Sequence, residues 1–66
     1  MLRPNESISE DGSTRTLSIP RGESEQHVYE EAQRRGTLFQ AYGSIWQVYR
    51  VTPGAVETVV TFVRIS

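Results

Sequence analysis

The sequence predicts an α+β domain over residues 1–66: a small antiparallel sheet, laid down as one strand or a hairpin, then a helix, then a C-terminal ββ hairpin, with the helix packed on one sheet face. Three observations carry this. Thr14-Arg-Thr-Leu-Ser-Ile19 alternates apolar and polar residues, residues 24–35 carry helix start and stop signals, and residues 44–52 and 55–65 are dense in β-branched and aromatic side chains around Pro53-Gly54.

Residues 1–13 are polar and turn-rich and are expected to be largely irregular or partly disordered. Asp11-Gly12 is nevertheless a hairpin signal. It would allow a short partner strand at Glu6–Ser9, in which Ile8 is the only apolar residue. In the strand that follows, Leu17 and Ile19 fall on one face and Thr16 and Ser18 on the other. Pro20-Arg-Gly22 ends it.

The helix is expected to be capped by Ser24, to run through Arg35 and to be closed by Gly36 in the left-handed conformation. Glu23 and Glu25 at its start and Arg34 and Arg35 at its end complement the helix dipole. Glu30 with Arg34 and Glu31 with Arg35 stand at i,i+4. Val28, Tyr29 and Ala32 make a narrow apolar stripe, enough for one sheet face. Thr37–Tyr42 reads as a second short helix or as a loop that plugs the core with Leu38 and Phe39.

A loop centred on Pro53-Gly54 sets Val51 opposite Val56, and an odd loop or a bulge would shift that register. In this register Ile45, Gln47, Tyr49, Val51, Val56, Thr58, Val60, Phe62 and Arg64 face the helix. Ser44, Trp46, Val48, Arg50, Glu57, Val59, Thr61, Val63 and Ile65 face the other way, with Arg50 directly across from Glu57. A contiguous apolar patch of this kind marks an interaction site.

Length and composition point the same way. A chain of 66 residues buries only about 60% of the surface its unfolded form exposes. Without Cys there is neither a disulfide nor a thiolate metal site to add stability, which leaves association as the main route to further burial. No apolar run approaches a membrane span, and Met-Leu-Arg-Pro-Asn-Glu-Ser lacks a signal peptide's apolar stretch, so a cytoplasmic protein is expected. All seven basic residues are Arg, which suggests GC-rich coding and a bacterial or phage source.

Catalytic chemistry finds no support in these residues. His27 aligns with Glu23 and Glu31 on the helix, but a lone His without Cys reads as a solvated face, so no metal is expected. No Ser sits in a Gly-x-Ser-x-Gly elbow, Glu30 and Glu31 diverge by 100°, and the five Gly are scattered singly. No enzyme activity, cofactor or small-molecule substrate is therefore expected.

The expected function is a non-enzymatic protein–protein interaction module. It would act by self-association as a homodimer or by occluding a partner protein, for example as an inhibitor of a host defence system of the anti-CRISPR kind. Its interface is expected at Trp46, Val48, Arg50, Glu57, Val59, Thr61 and Val63, or along a free Val56–Ile65 edge, so that Trp46→Ala and Val59→Asp would each dissociate it. The alternative is single-stranded nucleic-acid or DNA binding, with Tyr42 and Trp46 stacking bases and Arg50 and Arg64 on phosphates. The order strand, helix, strand, strand is similar to part of a ribonucleoprotein sheet. The Arg/Lys-Gly-Phe/Tyr-Gly/Ala-Phe signature is absent, however, and the net charge is −1.

Overall fold

The computed structural model describes residues 2–66. The alternating segment becomes strand β2 (Thr14–Pro20), preceded by β1 (Glu6–Ile8) and followed by helix α1 (Ser24–Arg35). Three further strands follow: β3 (Leu38–Ala41), β4 (Ser44–Pro53) and β5 (Glu57–Arg64). All pairings are antiparallel, in the order β1-β2-β5-β4-β3, with α1 on one face.

The N-terminal segment is more ordered than its composition suggested. Asp11 Oδ1 accepts hydrogen bonds from the Ser13 amide at 3.0 Å and from the Ser9 and Ser13 hydroxyls at 2.8 Å, so one carboxylate organises the β1–β2 turn. These contacts pull the Asp11 carboxyl down to about 2 from its ordinary 3.8.

At the helix start, Ser24 is the first helical residue and Glu23 the cap position, without a side-chain capping bond. Gln26 instead ties the preceding turn to β5, its Oε1 accepting the Gly22 amide and the Thr58 hydroxyl, each at 2.7 Å. Gln26 is buried, and the stripe it shares with Tyr29 and Ala32 leaves Val28 exposed, so the helix is rotated from the expected orientation. Gly36 closes α1 with φ +66°, as its position predicts.

Residues 38–41 form neither a helix nor a loop but the edge strand β3, from which Phe39 packs against the core while Leu38 is exposed. The link to β4 is the two-residue turn Tyr42-Gly43, with φ of +52° and +71°. Positive φ at both central residues matches the right-handed twist of a hairpin. It escapes a reading of the sequence because a bulky aromatic rarely adopts it.

The β4–β5 hairpin corrects the expected register. Pro53 pairs with Thr58, so the loop is centred two residues later, and Val51 faces Val60 instead of Val56. Arg21 fastens the loop, its amide donating to the Val56 carbonyl and its guanidinium to the Gly54 carbonyl, both at 3.1 Å. A bulge between Val48 and Arg50 then sets Tyr49 and Arg50 together opposite Thr61. The Tyr49 carbonyl accepts a hydrogen bond from the Gln33 side chain at 3.0 Å.

That one extra residue flips the first half of β4. Trp46 and Val48 turn toward the helix side and join Leu17, Ile19, Ala32, Val60 and Phe62 in the core, while Val51, Thr58 and Val60 keep their expected face. Tyr29 and Phe39, both partly buried, pack on Phe62 at its margin with ring centroids 5.5–6.0 Å apart. β5 lies in mid-sheet between β2 and β4, so the expected Val56–Ile65 edge does not exist. Among the described residues, no helix is long and apolar enough to cross a membrane.

Candidate interaction surface

The helix does not reach the whole inner face, and a polar cluster closes the rest. Arg15 shares its face with Leu17 and Ile19, and its guanidinium lies 4.0 Å from the Phe62 ring centroid, 5.0 Å from Trp46 and 5.4 Å from Tyr42. A cation over these ring faces is attracted by their quadrupoles. Arg15 Nη1 donates to Glu6 Oε2 at 2.7 Å, and the two side chains are 8% and 2% exposed. Glu6 Oε1 accepts the Tyr42 hydroxyl at 2.6 Å and the Arg3 amide at 3.0 Å.

Burial pushes the Glu6 carboxyl up, but the donors from Tyr42, Arg3 and Arg15 outweigh it, so Glu6 titrates below its ordinary 4.5. The same hydrogen bond raises the Tyr42 hydroxyl above 10.0. Since Glu6 and Tyr42 belong to opposite edges, about 19 Å apart were the five strands flat, the sheet must twist and curl to join them. Trp46, whose Nε1 donates to the Ala41 carbonyl at 2.8 Å, is thereby covered from within the chain and is 1% exposed.

Among the described residues, no element covers the opposite, outer face. Arg50, Glu57, Val59, Thr61 and Val63 stand together there, so five of the seven expected interface residues share one surface and two, Trp46 and Val48, do not. Alternation adds Thr16 and Ser18 from β2 and Leu38 from β3, while the bulge adds Tyr49. Leu38, Tyr49 and Val59 are exposed. The expected Arg50–Glu57 cross-strand pair is not formed: Arg50 lies opposite Thr61 and Glu57 opposite Pro20. The guanidinium of Arg50 instead rests 5.4 Å from the Tyr49 ring centroid.

The four residues of the nucleic-acid alternative are dispersed. Trp46 is in the core, Tyr42 is bound to Glu6, Arg50 is on the outer face, and Arg64 extends toward the β1–β2 turn near Gly12. Tyr49 is an exposed aromatic beside an exposed Arg, on a face that simple alternation denies it. His27 Nδ1 lies 3.2 Å from Glu30 rather than in a site with Glu23 and Glu31, and Glu31 is engaged by Arg34 and Arg35.

Arg15 could have been found in the sequence, since strict alternation places it with Leu17 and Ile19. Its carboxylate partner Glu6 falls in the short strand that Asp11-Gly12 allowed, on the same face as Ile8, that strand's one apolar residue. No protein-family model, curated protein or solved structure matches the chain.

Proposed function

We propose that this protein is a non-enzymatic protein–protein interaction module that binds through the outer face of its sheet. The observation that carries the reading is that Arg50, Glu57, Val59, Thr61 and Val63 share a face that none of the described residues covers, with Leu38 and Tyr49 exposed beside them. In a bacterial or phage-infected cytoplasm the module acts by self-association or by occluding a partner, as an inhibitor of a host defence system does.

A photo-crosslinking amino acid at Thr52, exposed on the Val59 rung, tests it against the same probe at His27 on the helix. Protein adducts are expected from Thr52 and not from His27. Equal yields at both positions, or none at Thr52, would remove this reading.

Tyr49 beside Arg50 is the one feature that favours nucleic acid, as an aromatic and a guanidinium on an open sheet can take a base and a phosphate. Glu57 on the same face and a net charge of −1 oppose it. Binding of a single-stranded oligonucleotide that falls steeply with salt would support this alternative. An absence of any shift at low salt would retire it.

A further inference from the structure

We infer that the occupant of the outer face is a second copy of this chain, docked across a twofold axis at Val59; this rests on the interaction-module reading above. Arg50 and Glu57 are the only charged side chains that the described strands present on this face, one of each sign, and neither is in an ion pair. They do not meet within one chain. Arg50 is level with Thr61, four residues from Glu57 along β5, a separation of about 14 Å once the strand spacing is included.

Their placement is what a twofold needs. Thr61 and Glu57 flank Val59 symmetrically on the central strand, and Ser18, Val59 and Thr52 form one rung across β2, β5 and β4. A rotation axis lying between two stacked sheets along that rung sets Val59 on its own copy. It carries Arg50 of each chain to Glu57 of the other, so a single surface supplies both halves of two ion pairs, the self-complementarity of an isologous interface. Such a face is electrostatically matched to itself, whereas a polyanion would meet Glu57.

The experiment is sedimentation of the full chain from micromolar to millimolar concentration, as wild type and as R50E, E57R and the double variant. Both residues are exposed, so folding is checked by circular dichroism and should be unchanged. The wild type should dimerise, and each single reversal should weaken the dimer by about tenfold or more, since like charges then face each other. The double variant should recover wild-type association. R50E mixed with E57R should form a heterodimer although neither dimerises well alone, a result that only pairing between chains produces.

A wild-type chain that stays monomeric overturns the inference. So do single variants that dimerise like wild type, or a mixture that does not associate. The broader reading fails separately, when the Thr52 probe returns no protein adduct.

Discussion

The guanidinium of Arg15 and the indole of Trp46 are stacked in a core that one 12-residue helix is too short to roof. In a chain this size the remaining gap could have been closed by a second helix or by a partner; here it is closed by a buried cation with its carboxylate. Arg15 Nε is left without a hydrogen-bond partner, so the cluster is not fully satisfied, and its retention rests on the ring contacts and the Glu6 pair. Trp46 therefore bears on folding, not on docking. Trp46→Ala should cost about 3–5 kcal/mol, by loss of a buried aromatic and the cavity it leaves. Against a total of roughly 5 kcal/mol for a marginal small domain, that is enough to unfold it. Urea denaturation followed by far-ultraviolet circular dichroism checks this, and a variant folded as stably as wild type would contradict the core assignment.

Among the elements, the β1–β2 hairpin is the one whose stability should respond to acid. β1 has three residues and one partly buried apolar side chain, Ile8, so it is held mainly by Glu6 and by the Asp11 turn. Both carboxyls titrate below their ordinary values, which means that each contributes stability in full above its unfolded value and loses it as pH falls through the lowered folded one. Glu6 acts below about 4.5 and Asp11 between 3.8 and about 2, so β1 should detach in acid while α1 and β3–β5 persist. Amide exchange or backbone shifts at Ser7 and Ile8 followed against pH would show it. Glu6→Gln should cost about 1–3 kcal/mol at neutral pH, because Arg15 is left buried without its charge partner, and should remove the Glu6 part of the acid transition. The elements that could be read from the chain, the short partner strand β1, β2, α1 and the β4–β5 hairpin, each announce themselves by local periodicity or punctuation. β3 does not, because the turn that joins it to β4 holds Tyr42 in a conformation its residue type disfavours.

At the scale of the whole molecule, the sequence showed a hairpin with more apolar surface than its helix could cover, and that imbalance is real on one face and resolved on the other. Alternation alone assigned Trp46 and Val48 to the surface because it assumes an unbroken ladder; one bulge residue reverses the parity of everything before it. No local signal marks Tyr49 as that residue, and its carbonyl is satisfied only once Gln33 arrives from the helix. Val59 lies on the uninterrupted strand, so its outward placement survives and it becomes the position that separates folding from association. Val59→Asp should lower stability by no more than about 1 kcal/mol, the span of strand preference at an exposed site. In the dimer it sets two carboxylates against each other at the symmetry axis, so association should be lost while the monomer remains folded. The pairing of outcomes is the diagnostic: Val59→Asp folded but monomeric, Trp46→Ala unfolded, each read by denaturation and sedimentation on the same samples. Were Val59→Asp to dimerise as wild type does, the contact between copies would have to lie away from the centre of the sheet.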